Sequence, residues 1–325
     1  MILAGDVGAT KTTLGLFQPD GANLTPVLVR KFFNHQFIDF AAVLDGFLTG
    51  RDSFTSVCFG VAGPVLDGRV TVTNLSWDID MVALAARFGV ARTLLINDVE
   101  ATAYGIDALS DGDVLTLNLG MEDKCAPAAL IASGTGLGES ILFPKGASRV
   151  PYPAEAGHAD FAPNSPIEAE LLQYLWRRYQ HVSWDRVLSG PGLRLIYEFL
   201  LDTGHGTAEP SVTKRMLTED PAAVISHAAL DGTCDVCNKA LDIFTKIYGS
   251  EAGNLALRAL ARGGVYIGGG IAPRIVKKLA DGGFLRAFCA KGRMTSLLET
   301  IPVRVILNDQ TGLIGAARFA RMREA

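Results

Sequence analysis

Two glycine loops and three polar groups have the residue types and spacing that chemistry would need. Gly5-Asp6-Val7-Gly8-Ala9-Thr10-Lys11 and Ser133-Gly134-Thr135-Gly136-Leu137-Gly138 each separate two apolar runs. A tight turn between strands aims successive backbone N–H groups at one point, a concavity suited to phosphate oxygens. Two such hairpins, one in each half of the chain, could grip a polyphosphate from both sides. Taken singly, each reads as an ordinary glycine hairpin; taken together, with an Asp in the first, they read as a phosphate grip. Lys11-Thr12 has the ending of a Walker loop, but Thr10 stands where that loop carries Gly, and neither segment satisfies G-x-G-x-x-G. A carboxylate at a strand end inside a phosphate loop, as Asp6 is, suits Mg²⁺, which takes one or two carboxylates and keeps several waters. The other reading of Asp6 is a turn-forming residue that caps its own loop.

Asn97-Asp98 follows the continuous apolar run 93–96. Open α/β sheets bind ligands beyond the carboxyl ends of their strands, so this pair is a candidate site, with Asp98 alternatively an N-cap of the helix that follows. Glu155-Ala156-Gly157-His158 lies in a loop flanked by Pro151 and Pro153. A two-metal reading of Glu-x-x-His needs a second copy on a helix, and neither is present. Polar groups gripping sugar hydroxyls fit the pair better, and a hydrogen-bonded structural histidine is the bland alternative. Gly268-Gly269-Gly270 ends the run 265–267, where the lack of side chains lets a flat ring such as adenosine lie against the backbone. Cys234-x-x-Cys237 lacks a second Cys pair or a nearby His, so it reads as helix packing, not zinc.

Strands and turns must hold these groups. Apolar runs at 2–6, 12–17, 26–33, 56–61 and 93–96 predict strands, with Asp67-Gly68 a two-residue hairpin turn between 65–66 and 69–73. The β pattern restarts after the polar stretch 107–113, at 114–119, 128–132 and 139–142, so that stretch is a candidate domain boundary. Ser165-Pro166-Ile167-Glu168 has the residues of a capping box and predicts a helix over 166–179. Further helices are expected over 191–201 and 235–261, then strands at 265–267 and 303–307 and a last helix over 312–324. The final strand and helix are expected to return to the N-terminal domain.

Composition narrows the classes. The chain has 325 residues, 49% apolar and 20% charged, which excludes disorder and gives a prior of two domains. Thirty Lys and Arg against 34 Asp and Glu leave a net charge of -4, which argues against a nucleic-acid binder. The longest charge-free stretches, 53–66 and 125–138, are shorter than the roughly 20 residues a membrane-spanning helix needs. The acidic start at Asp6 does not read as a signal peptide. Five scattered cysteines (Cys58, Cys125, Cys234, Cys237, Cys289) point to a reduced, cytoplasmic protein.

The order of the Gly5 loop, Ile96-Asn97-Asp98, Gly134-Thr135-Gly136, Gly268-Gly269-Gly270 and the segment 309–317 resembles the sugar-kinase, actin and heat-shock ATPase superfamily. Thr73-Asn74-Leu75-Ser76-Trp77, the segment from Glu155-Ala156-Gly157-His158 to Pro163, and Arg186-Val187-Leu188-Ser189-Gly190-Pro191-Gly192-Leu193 look like the bacterial glucokinase family, and the resemblance runs end to end. It implies an α/β, two-domain ribonuclease H-like (actin-like ATPase) fold with a cleft between a small domain (1–108, completed by 301–325) and a large one (109–300). The activity implied is ATP-dependent phosphorylation of the glucose 6-hydroxyl with Mg²⁺, with closure of the domains around the sugar to expel water.

By the same resemblance Asp98 is the base, and Asn97, Glu155, His158 and Asn74 bind glucose. Asp185, where the usual residue is the longer Glu, binds it too. Asp6, Gly8, Ala9, Thr10, Lys11, Gly134, Thr135, Gly136, Gly268, Gly269 and Gly270 hold the nucleotide, with Asp6 toward the metal. Ala9 replaces the second Gly of the usual Gly-Gly-Thr. The cysteine-rich zinc motif of ROK-type kinases is absent, and a homodimer without nucleic-acid or membrane partners is expected. The alternatives are a kinase for mannose, fructose or an N-acetylated sugar, a sugar-sensing regulator on this fold, and an actin-like assembly ATPase.

Overall fold

A strand buried on both faces reads as an unbroken apolar run. The computed structural model describes residues 1–21, 23–48, 54–72, 75–90, 92–146, 148–152 and 154–324 and begins with such a run, β1 (Ile2–Val7). It is followed by β2 (Lys11–Asp20), β3 (Asn23–Phe33), β4 (Ser56–Val61), a short ribbon of β5 (Arg69–Thr71) and β6 (Asp78–Asp80), and β7 (Thr93–Asn97). The main sheet runs β3-β2-β1-β4-β7, with β1, β4 and β7 parallel and the first hairpins antiparallel. Side chains alternate across it. Leu3 and Val7 face a cluster with Phe40, Val43 and Phe59, while Ile2 and Ala4 face Leu313, Ala316 and Ala320 of the last helix, Thr311–Met322.

The second sheet is built from β8 (Val114–Asn118), β9 (Ala128–Ser133), β10 (Leu137–Lys145), β12 (Val265–Gly268) and β13 (Val303–Ile306), in the order β10-β9-β12-β13-β8. β11 (Ser148–Tyr152), which returns from β10, groups with the first unit. β9, β12 and β13 are parallel, and antiparallel strands close the two edges. Behind this sheet runs the helix Asp235–Ala259, 25 residues long, with an exposed polar stripe in its first half and a second half buried nearly all round. Contacts divide the chain into two units. The first is Met1–Gly112, Lys145–Pro153 and Asn308–Ala325; the second is Asp113–Pro144 and Ala154–Leu307.

Several expectations need correction. The last strand does not join the first sheet: β13 pairs with β12 and β8 in the second, and only the last helix packs on β1 and β4. An apolar run of four residues states that it is buried but not which sheet buries it. Ser165 makes no capping bond with its side chain, and Glu168 turns back to accept the Asn164 N–H at 2.7 Å. That helix ends at Trp176, three residues early. Asp67 and Gly68 form the expected turn with positive φ at both residues, but the strand beyond it pairs with β6. Cys234 caps the Asp235–Ala259 helix by accepting the Cys237 N–H at 3.4 Å, and both thiols are buried.

The last helix crosses the helix Asp98–Gly105 at two glycines. A Cβ on Gly315 would lie 1.7 Å from the Ala101 carbonyl, and one on Gly105 would lie 2.1 Å from that of Thr311. Overpacking at such a contact costs about 1–3 kcal/mol. Gly315→Ala is therefore expected to lower the urea unfolding midpoint; an unchanged midpoint would show that the two helices do not meet this closely.

Candidate active site

In the first unit the chain reverses between β1 and β2 within four residues, and the Gly8 N–H donates to the Lys11 carbonyl at 3.0 Å. Regular structure satisfies little of this turn, so a side chain does the rest. Asn34, buried just after β3, donates to the Gly8 carbonyl (2.7 Å) and accepts from the Thr12 hydroxyl (2.9 Å), while its own N–H reaches the Thr10 carbonyl (3.0 Å). Ala9 lies on the turn, and Thr10 and Lys11 are exposed on it. Asp6 stands at the carboxyl end of β1. Burial first, then the negative Asp309, pushes its carboxyl up to about 6 against the pull of Lys11 and Lys31. Lys31 also pairs with Asp309 at 2.7 Å. Gly312 keeps room for Asp6, since a Cβ there would lie 3.3 Å from its Oδ2.

At the end of β7, Asn97 is the N-cap; the reading of Asp98 as cap is corrected. Asn97 Oδ1 accepts the N–H groups of Val99 (2.8 Å) and Glu100 (3.4 Å), and its Nδ2 donates to the Gly63 carbonyl (3.1 Å). Asp98 is the first helical residue, and its Oδ1 also accepts the Val99 N–H at 3.0 Å. A carboxylate in a first helical turn sits at the positive end of the helix dipole.

In the second unit the structure brings together segments that are far apart in sequence. The turn at Gly134-Thr135-Gly136 is closed by the Gly134 N–H on the Gly136 carbonyl, 2.8 Å. Ser133, just before it, accepts the Ile271 N–H (3.1 Å), donates its hydroxyl to the Leu188 carbonyl (2.8 Å), and donates its N–H to the Tyr248 hydroxyl (3.3 Å). The buried Tyr248 hydroxyl also lies 3.2 Å from the Ile131 carbonyl and 3.3 Å from that of Gly268. One side chain of the long helix therefore backs both glycine turns. Gly269 has φ +82°, and a Cβ on it would be 2.2 Å from the Ser133 carbonyl, so the turns can meet only at glycine.

Asp185 lies in the short helix Trp184–Val187 and accepts the Leu137 N–H on Oδ1 at 2.7 Å. Glu155 precedes and His158 ends a short 3-10 turn, Ala156–His158, that packs on the same hairpin: a Cβ on Gly157 would be 2.1 Å from the Leu137 carbonyl. Their side chains are 68% and 65% exposed, 3.9 Å apart at Oε2 and Nε2, so neither serves the core. Asn74 lies outside the described residues. Asn34, Tyr248 and the Lys31–Asp309 pair escape a reading of the sequence. Asn34 and Tyr248 act through contacts more than twenty residues away in sequence, and no local pattern marks such contacts. Among the described residues no three His, Cys, Asp or Glu side chains gather as a metal cage, and no helix is long and apolar enough to cross a membrane.

Two mixed sheets, each carrying a glycine hairpin, give the α/β fold of actin-like ATPases, and the class that this fold and its site define is the sugar kinases. The family model described as Glucokinase matches residues 3–323. A glucokinase of Nostoc sp. is 40% identical over 98% of this chain and 98% of its own length, and one of Synechocystis sp. is 39% identical over 97% and 96%. The crystal structure of a glucokinase from an Antarctic psychrotroph superposes with a TM-score of 0.85 at 31% identity, covering 99% of this chain and 98% of that one. The chain belongs to the glucokinase family, and its activity is glucose phosphorylation.

Asn34→Ala removes both side-chain bonds from the first turn and leaves buried polar groups unpaired, a loss of about 1–3 kcal/mol. The expected outcome is a lower unfolding midpoint with the fold retained by circular dichroism; a midpoint equal to wild type would show that the turn does not depend on this residue.

Proposed function

We propose that the chain transfers the γ-phosphoryl group of ATP to the 6-hydroxyl of D-glucose, with Asp98 as general base. The observation that carries this reading is the presentation of Asp98 at the carboxyl end of β7, at the start of a helix that Asn97 caps. Likeness of fold supports it: a Balamuthia mandrillaris glucokinase structure holds glucose (TM-score 0.81, 23% identity), and a Streptomyces griseus ROK glucokinase structure holds glucose and AMPPNP (TM-score 0.66, 20% identity).

Phosphoryl transfer asks for positioning and charge stabilisation more than covalent help. Asp98 accepts a hydrogen bond from the 6-hydroxyl and takes its proton as the O–P bond forms and the hydroxyl acidifies. Asn97 spends one amide N–H on Gly63 and offers the second to the sugar. Glu155 and His158, exposed and close together, bind further hydroxyls. Asp185 keeps Oδ1 on the Leu137 N–H and turns its other oxygen to the sugar, so one carboxylate serves both the sugar and the hairpin that carries phosphate. The Gly8 and Gly134 N–H groups close the two turns, the N–H groups of Ala9, Thr10 and Lys11 and of Thr135 and Gly136 face phosphate oxygens, and Gly268, Gly269 and Gly270 leave a flat surface for the adenosine.

Mg²⁺ fits the residues present. Asp6 is a half-buried carboxylate with a raised pKa beside another carboxylate, a hard oxygen donor that a cation would relieve. Asp6 would hold the ion, which when bound neutralises charge on the phosphate oxygens.

A coupled ADP-release assay over a panel of sugars tests the substrate. Glucose is expected to give the highest kcat/KM, and a higher value with mannose, fructose or an N-acetylated hexose would overturn the assignment. Asp98→Asn should bind glucose by calorimetry with near wild-type affinity while kcat falls roughly 10²–10⁴-fold, the usual worth of a positioned base. Wild-type turnover in that variant would remove Asp98 from the mechanism.

A further inference from the structure

The first residue after the second glycine loop is Glu139, on β10. It is 1% exposed, and neither of its carboxylate oxygens has a hydrogen-bond partner among the described residues. On the Asp235–Ala259 helix, Glu251 is fully buried and within hydrogen-bonding reach of it. Two ionised carboxylates only accept, so they cannot bond to each other. The surrounding donors serve Glu251: Arg258 Nη1 is 2.5 Å from Glu251 Oε1 but 4.0 Å from Glu139 Oε2, and Asn254 Nδ2 gives Glu251 Oε2 a bond of 2.8 Å. Lys291, on the other side, spends its ammonium on the Ser250 carbonyl (2.9 Å) and hydroxyl (3.2 Å). Tyr248 also faces Glu139, with its hydroxyl already engaged at Ser133, and Glu168 stands behind Lys291. A single proton on Glu139 completes the set, turning one of its oxygens into a donor aimed at Glu251. Like-charged carboxylates held together in a dry site share a proton in this way.

We propose that Glu139 is a positioning residue for the phosphate hairpin: one proton shared with Glu251 anchors the strand leaving Gly138, and loss of that proton weakens nucleotide binding. The proposal rests on the reading that this hairpin holds the nucleotide. Burial, and then the charge of Glu251, push the Glu139 carboxyl up to about 8, and burial pushes Glu251 up as well. The sign follows from linkage. A raised carboxyl pKa in the folded state gives a contribution that is whole below the ordinary glutamate range and is lost as pH rises through about 8. The anchor holds at neutral pH and fails on the alkaline side.

Glu139→Gln keeps the shape and makes the donor permanent, so it separates the proton from the side chain. Binding of a non-hydrolysable ATP analogue with Mg²⁺ is measured by calorimetry from about pH 6.5 to about pH 9, with glucose binding in parallel. Wild type is expected to lose roughly three- to tenfold in nucleotide affinity across that range, and Glu139→Gln less than about twofold, while glucose binding changes alike in both. A merely structural role would lower Tm without changing the pH slope for nucleotide. Parallel nucleotide slopes in the two proteins would overturn the proposal. Should Glu139→Gln not fold, Glu251→Gln supplies the same charge and the same number of donors and is expected to flatten the slope equally. Infrared difference spectra of the wild type give an independent readout: a protonated-carboxyl band is expected to vanish near pH 8, and its absence at neutral pH would overturn the shared proton. Wild type that binds no nucleotide at any pH would overturn the functional reading itself, a result distinct from parallel slopes.

Discussion

The second unit depends on how the main chain of Ser133 is satisfied. At that residue β9 stops and the glycine turn begins, so the sheet no longer supplies partners, and a buried amide or carbonyl left alone is costly. Its carbonyl accepts from Ile271, its amide donates to Tyr248, and its hydroxyl donates to Leu188. Each partner comes from a different element, so these three bonds locate the turn at Gly268-Gly269-Gly270, the long helix and the segment leading to Gly190 in a single step. Gly269 permits this because its missing side chain is the space in which the Ser133 carbonyl lies.

The first unit meets the same difficulty with a different residue. Its turn is shorter, and Asn34 reaches it from the end of the neighbouring strand, offering one donor and one acceptor to opposite sides of the loop. An amide can do this where a hydroxyl cannot, because its donor and acceptor point in separate fixed directions. Tyr248 suits the second turn for the converse reason. It must be rigid and span a wide gap from a buried helix, and its hydroxyl needs only to meet converging carbonyls and one N–H.

The local part of this was legible in the sequence. Both hairpins, the strand ending at Asn97 and the Gly268 turn show themselves by apolar runs broken at glycine or at a polar pair, signals contained within ten residues. The non-local part was not. Asn34 follows Phe33 with nothing to mark it, Tyr248 is one of many buried residues on its helix, and Glu139 and Glu251 are separated by 112 positions. Local signals also compete: Asn97 and Asp98 are both good caps, and Asn97 takes the position because β7 extends through it. Glu168 had the spacing of a capping box, but the Asn164 amide took its carboxylate.

Four acidic side chains near the glycine turns and the β7 edge do four kinds of work, and their surroundings decide which. Asp98 meets a helix N-terminus, which favours its charge; Asp6 is half-buried near Asp309, which does not; Glu139 faces another carboxylate and keeps a proton. Asp185 is set by length. Its Oδ1 lies where a Cβ on Gly136 would come within 2.5 Å, and from there it accepts the Leu137 amide. A carboxylate one methylene longer would carry its oxygens past that amide unless the backbone withdrew. The shorter aspartate and the bare Gly136 therefore go together: the missing methylene brings the carboxylate onto the hairpin, and the missing side chain leaves it room. Asp185 is thereby tied to the glycine hairpin, so a shift in one is passed to the other through a single hydrogen bond.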